Sequence, residues 1–243
     1  MEIKRFFLDK SAFDGSKFVI TGEEYYHMTK VLRHKVGYKI IVCLNDGFDY
    51  YSTITRIDKD SLIATLDKRV DNDTRTRSNV TLMQALPKGD KFDFICQKAV
   101  ELGVSRVVPF MSHNTNEDKV NHARCRRIML EACKQCGRSC ISHVDDVTTF
   151  DGVFDMLDDY DAVFMAYENE REHVLGDYID VLDSADNIAV IVGSEGGFTE
   201  DEYKTLRDRG VHTFSLGKRI LRAETASIVA VSLVMYLKGE MNI

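Results

Sequence analysis

Along the chain the spacing of apolar positions changes its period once. In residues 18–20, 39–44, 49–57 and 61–70, β-branched and aromatic residues alternate with polar ones, the period of two expected of half-buried strands. Asn45-Asp46-Gly47 supplies a turn between two of these runs, and residues 23–33 have a helical pattern. Residues 73–78 are polar and carry no apolar anchor, as a linker would. Beyond them short apolar runs alternate with helix-length amphipathic ones. Strands are predicted at 80–86, 106–110, 162–167, 188–192 and 211–216, and helices at 90–102, 121–136, 200–209 and 225–237, with Gly103 and Gly210 closing two helices. Such alternation predicts a parallel sheet covered on both faces. The expected organisation is a β-rich domain over 1–72, a linker over 73–78 and an α/β domain over 79–243.

Composition permits this organisation and removes some alternatives. With 243 residues and 44% hydrophobic content, the chain can build one large core or two modest ones. No apolar run approaches the roughly 20 residues that cross a bilayer, and Glu2, Lys4, Arg5 and Asp9 interrupt any signal-peptide core. A cytoplasmic location is expected. Cys133, Cys136 and Cys140 stand at offsets of three and seven, on one face of a helix, without a second C-x-x-C unit or a later H-x-x-x-H. They read as packed or surface thiols, and no metal is expected.

Net charge is −7, an awkward balance for a nucleic-acid partner, but it is unevenly distributed. Residues 144–188 hold fourteen Asp or Glu and only Arg171, leaving 31 basic against 25 acidic residues elsewhere. Residues 119–138 carry six basic side chains against the single Glu131. Attraction to phosphate would come from that stretch and from the basic residues near the N-terminus.

Two loops near the C-terminus carry the chemistry. Residues 193–198 (GSEGGF) follow a short buried-strand run and precede Thr199 and Glu202, a capping box that opens a helix. Residues 216–226 (LGKRILRAETA) lie between the last strand and the last helix. Strand-to-helix junctions at the carboxyl edge of a parallel sheet leave backbone amides and a helix N-terminus free for a ligand. The first loop is neither G-x-G-x-x-G nor G-x-x-x-x-G-K-[ST], so neither a dinucleotide nor a triphosphate is favoured, and Glu195 would repel phosphate. A small molecule of another kind is predicted at the two loops.

The order and spacing of these loops, together with Arg5-Phe6-Phe7, residues 27–37 (HMTKVLRHKVG), 85–103 (ALPKGDKFDFICQKAVELG) and 131–138 (EACKQCGR), resemble the RsmE family of 16S ribosomal RNA uracil-N3 methyltransferases. These belong to the SPOUT class of S-adenosylmethionine-dependent RNA methyltransferases. The chain departs from the family pattern at Ser194, Ala223, Cys136 and near Cys125, where proline, threonine, serine and tryptophan are usual. The resemblance implies an α/β SPOUT-type parallel sheet with a C-terminal trefoil knot over 193–221, preceded by a small PUA-like β-barrel domain. It implies S-adenosylmethionine bound by Gly193, Glu195, Gly196, Gly197, Leu216, Gly217, Ile220 and Leu221.

For catalysis the resemblance points to Arg222, whose permanent charge suits the developing negative charge on uracil oxygens, and to Glu224 as base or orienting group. Glu224 read by itself is also a carboxylate favoured at a helix start. Arg5, Arg33, Lys88, Lys91, Gln97 and Arg138 are the implied RNA contacts, and a homodimer acting on the assembled small ribosomal subunit is the implied assembly. Two other functions stay open at this level: methylation of a different RNA base or ribose, and a catalytically silent RNA-binding homologue.

Overall fold

The computed structural model describes residues 3–242; Met1, Glu2 and Ile243 lie outside the described residues. The chain divides into two compact units, one running to Arg75 and including Cys133–Ile141, the other holding Thr76–Ala132 and the chain from Ser142 onward.

The first unit contains β1 (Arg5–Phe7), β2 (Lys17–Thr21), the short helix α1 (Gly22–Tyr26), β3 (Lys39–Cys43), β4 (Phe48–Ile57) and β5 (Ser61–Asp71). The sheet order is β1-β3-β4-β5-β2; β1 lies parallel to β3 and the other pairs are antiparallel. Alternation in β2 buries Phe18 and Ile20 and exposes Lys17, Val19 and Thr21, as the period of two requires. Those two side chains join Phe6, Met28, Ile40, Val42, Ile54 and Leu62 in one core. Asn45 (φ 57) and Gly47 (φ 88) take left-handed backbone at the expected turn, a conformation that Asn and Gly tolerate best.

Strand β1 is absent from the sequence expectation because three residues are too few to show a period. Tertiary contacts secure it: Arg5 Nη2 donates to Asp49 Oδ2 at 2.7 Å and Nη1 to Oδ1 at 2.5 Å, and Asn72 Nδ2 donates to Asp49 Oδ1 at 3.1 Å. Burial works against the Arg5 charge, but the paired Asp49 carboxylate outweighs it and raises its pKa.

The second unit comprises β6 (Asn79–Ala85), α2 (Lys91–Glu101), β7 (Arg106–Met111), α3 (His122–Cys136, whose last turn is counted with the first unit), β8 (His143–Val144), β9 (Thr148–Thr149), α4 (Phe150–Asp155), β10 (Ala162–Ala166), α5 (Ile179–Ser184), β11 (Asn187–Val192), α6 (Glu200–Asp208), β12 (His212–Phe214) and α7 (Ala223–Leu237). All strands run parallel in the order β12-β10-β11-β6-β7-β8, with β9 beside β7. One sheet face packs Met83, Val108, Met165 and Ile191 against Val153 of α4 and Leu206 of α6. On the opposite side α7 contacts β6, β11, α2 and α5. Two covered faces explain why β10 and β11 are buried through nearly their whole length. No helix among the described residues is long and apolar enough to cross a membrane.

Gly103 (φ 96) and Gly210 (φ 93) follow α2 and α6 in left-handed backbone, as expected of C-terminal glycines. Two boundaries differ from expectation. The strand predicted at 211–216 narrows to β12, and α7 begins at Ala223 because Arg222, extended at φ −67 and ψ 154, is its N-cap. Segments β8, β9, α4 and α5 were not anticipated, being short and set in an acidic stretch with weak periodicity.

Candidate functional site

Strands β11, β10 and β12 are neighbours in a parallel sheet, so their carboxyl ends lie on one edge, and the loops that leave them surround a cavity of about 280 Å³. Tyr167 and Glu168 line it after β10; Gly193, Ser194, Glu195 and Gly197 after β11; Ser215, Leu216, Gly217, Arg219, Ile220, Leu221 and Arg222 after β12. Seven of the eight residues expected to hold the ligand therefore meet in one place, joined by Arg222. Gly196 is the eighth and does not line the cavity: a Cβ there would stand 2.6 Å from Cβ of Asn114, so its glycine serves packing.

The loop after β11 is fastened from several directions. Gln84, fully buried at the end of β6, donates from Nε2 to Gly193 O at 3.2 Å, while its Oε1 accepts the Ser227 hydroxyl of α7. Asn114 Nδ2 donates to Gly196 O at 2.9 Å. Glu195 pairs with Lys91 and accepts the Lys88 N–H at 3.2 Å. Partial burial opposes the Glu195 charge, yet Lys91 and the backbone donors win and hold its carboxyl below the ordinary range.

Gly197 sits at φ 61, and a Cβ there would run into the Glu168 carboxylate; a Cβ on Gly193 would stand 3.1 Å from the Phe198 ring. The expected capping box is formed: Glu202 N donates to Thr199 Oγ1 at 3.2 Å and Thr199 N to Glu202 Oε2 at 2.9 Å. Glu202 Oε1 also accepts the His113 N–H at 2.8 Å, which ties the Asn114 loop to α6.

A second carboxylate shapes the wall after β10. Buried Glu170 accepts N–H groups from Arg171 and Glu172, each at 2.8 Å, and the Thr213 hydroxyl at 2.7 Å. Desolvation favours its neutral form, but the summed donors hold its pKa low.

Fastenings are few in the loop after β12. Ser215 N donates to His173 O at 2.9 Å and Gly217 N to Ser215 Oγ at 3.2 Å. Lys218, Arg219 and Ile220 are exposed, Ile220 at 77%. Arg222 is exposed and, among the described residues, has no ion pair, which leaves its guanidinium available to a ligand. Glu224 lies in the first turn of α7, outside the cavity lining; its Oε2 is shielded from solvent and has no hydrogen-bond partner among the described residues. The Ser194 hydroxyl is in the same position.

The residues expected to contact RNA differ in exposure. Arg5 is committed to Asp49 and Lys91 to Glu195, so both charges are matched inside the protein. Arg33 is exposed with φ 55, Lys88 is exposed, and Gln97 and Arg138 are half-buried. Cys125 and Cys133 are buried; the Cys133 and Cys136 thiols donate to the carbonyls of Cys140 (3.4 Å) and Cys133 (3.9 Å), as packed thiols do.

Sequence reading missed Gln84, Asn114 and Glu168. Two carried a signal: Gln84 is a large polar residue inside an apolar run, and Glu168 is the first charge after one. Asn114 gave none.

Residues 74–235 match the family model of an RNA methyltransferase domain, and residues 20–67 match that of an RNA methyltransferase PUA domain. The chain is 30% identical over 233 residues to ribosomal RNA small subunit methyltransferase E of Bacillus subtilis (strain 168), covering 92% of this chain and 91% of that one. To the Rickettsia conorii protein of the same name it is 29% identical over 244 residues, covering 98% and 97%. Among solved structures it is similar to ribosomal RNA small subunit methyltransferase E from Neisseria gonorrhoeae bound to S-adenosyl methionine, with 29% identity, 97% and 98% coverage and a TM-score of 0.86. With a PUA-type sheet, a parallel α/β unit and both glycine loops at one sheet edge, the chain belongs to the ribosomal RNA small subunit methyltransferase E family of RNA methyltransferases.

Proposed function

We propose that this protein methylates N3 of a uridine in 16S ribosomal RNA with S-adenosylmethionine as donor. The observation that carries the reading is the convergence of both glycine loops and Arg222, which has no ion pair among the described residues, on one cavity at the carboxyl ends of β10, β11 and β12. The residues fit the donor. Gly193, Gly197 and Gly217 line the cavity without side chains, and Leu216, Ile220 and Leu221 offer apolar surface to a purine, the usual design of a small-ligand slot. When bound, S-adenosylmethionine supplies a methyl group activated by a positively charged sulfur.

The chain's own residues do the rest. Uracil N3 carries a proton at neutral pH, and its removal spreads negative charge onto the flanking carbonyl oxygens. Arg222 meets that charge with a guanidinium that never loses its own. Glu224, in the first turn of α7 two residues after Arg222, is the candidate to take the N3 proton or to orient the base. Fixing the two reactants by the loops contributes a further large share of the acceleration.

The wider reading follows the same line. Residues 1–72 form an RNA-binding domain, 73–78 a linker and 79–243 the methyltransferase domain. Arg5, Arg33, Lys88, Lys91, Gln97 and Arg138 contact RNA, Arg5 and Lys91 from within ion pairs to Asp49 and Glu195. The strand order β12-β10-β11-β6, in which the chain returns past β10 after β11, supports a trefoil knot over 193–221. The enzyme acts in the cytoplasm as a homodimer on the assembled small subunit; apolar Leu233 and Tyr236 on the exposed side of α7 suit a subunit contact.

Small subunits from cells lacking the protein, incubated with labelled donor and mapped, should carry one N3-methyluridine; label on another base or on ribose would reject the specificity. Arg222→Ala should lower the rate at least about 100-fold, as loss of a charge-stabilising donor does, with donor affinity within a few-fold. Undiminished turnover would remove Arg222 from the mechanism.

A further inference from the structure

Glu168 directly follows β10 and lines the cavity between Tyr167 and the first glycine loop. Its Oε1 occupies the space a Cβ on Gly197 would need, so the carboxylate rests against the loop that forms the cavity wall. Neighbouring carboxylates are engaged by the protein: Glu195 by Lys91, Glu170 by three backbone N–H groups and Thr213. Among the described residues no hydrogen bond or ion pair meets the side chain of Glu168. Even the adjacent Arg171 turns Nη1 to the backbone oxygens of Glu168 and Glu170, at 2.7 and 2.8 Å. Glu168 is exposed at the cavity, and a carboxylate is an acceptor only, so its oxygens are open to hydrogen-bond donors of a ligand seated there.

The position in the sheet narrows the ligand group. Glu168 ends the strand adjacent to the one that carries the glycine loop, in a parallel sheet. In nucleotide-binding parallel sheets an acidic residue in that relation takes the ribose hydroxyls, because a carboxylate's two oxygens match two neighbouring hydroxyls. Arg219 and Arg222 line the same cavity and answer the carboxylate of an amino-acid tail, whereas Glu168 does not.

We propose that Glu168 is a cofactor-binding residue whose carboxylate accepts the vicinal hydroxyls of the donor's ribose. This rests on the reading that S-adenosylmethionine occupies the cavity. It is tested by calorimetry on the full-length protein with two probes, S-adenosylhomocysteine and 5′-methylthioadenosine; the second keeps the ribose and lacks the amino-acid tail. Glu168→Gln and Glu168→Ala should each weaken both probes by a similar factor, about tenfold, as loss of a charged acceptor does, with an unchanged melting temperature without ligand.

Weakening confined to S-adenosylhomocysteine would assign Glu168 to the amino-acid end and overturn the inference. Unchanged affinity for both would overturn it as well while leaving the cofactor reading intact. Wild-type protein that binds neither probe would reject the cofactor reading itself, and this inference with it.

Discussion

The two loops that wall the cavity are built on opposite principles. The loop after β11 is bound by Gln84, Asn114 and Lys91, continues into a capped helix and places Phe198 in the core. The loop after β12 has two hydrogen bonds at its start, Ser215 N–H to His173 O and Gly217 N–H to the Ser215 hydroxyl, and then exposes Lys218, Arg219 and Ile220 to solvent. A wall fixed before the ligand arrives lowers the ordering cost of binding, while a wall with unburied apolar surface gains its packing from the ligand. The first loop is therefore held in shape by the protein, and the second presents apolar surface that a ligand would cover.

This contrast can be broken at its stiffest point. Gly197→Ala forces a Cβ against Glu168 at a left-handed φ of 61, a strain of about 1–3 kcal/mol. Affinity for S-adenosylhomocysteine should fall by about tenfold to a hundredfold in calorimetry. Unaltered binding would show that the first loop is not the rigid wall described.

The second loop should respond to a smaller degree and in another way. Ile220→Ala removes an apolar side chain that is 77% exposed in the free protein. Thermal stability should stay within about 0.5 kcal/mol, while ligand affinity should fall about fivefold from the lost apolar burial. A drop in melting temperature with unchanged affinity would mean that Ile220 already packs in the free protein.

The weakest effect is electrostatic. The Glu195 carboxyl lies below its ordinary value, so its pairing with Lys91 is present above the ordinary glutamate range and is lost only as pH falls through the lowered value. Ligand affinity should change less than about twofold between about pH 8 and pH 5 on this account, as suits a partly exposed pair. The carboxyl carbon resonance of Glu195 should titrate below the glutamate norm of about 4.3, and Lys91→Met should move its midpoint upward. A midpoint at or above the norm in the wild type would refute the pairing.

Much of the fold was legible because burial on both faces writes long apolar runs: β6, β7, β10 and β11 stand within a residue or so of their predicted limits. Thr199 and Glu202 announced α6 because a capping box is a local structure. At the cavity, Gly193, Gly197, Gly217 and Arg222 stood out in the sequence through their spacing, whereas Gly196 faces Asn114. What escaped was short or distant in sequence. Strand β1 exists through its pairing with β3, and Gln84 acts on Gly193, 109 residues away. The pairing of Arg5 with Asp49, 44 residues on, likewise leaves no local signal.

Taken alone, the sequence determined the change from a β-rich to an alternating α/β pattern, the two loops and the kind of chemistry their residues support, since periodicity, caps and glycine positions are properties of neighbours along the chain. Only the tertiary structure decided that β12 returns beside β10, bringing the loops around one cavity with Glu168 at its wall, and which charges are matched by partners and which remain for a ligand. The reason is that strand order and ion pairing are settled by contacts between residues far apart in sequence, whose energies no local pattern records.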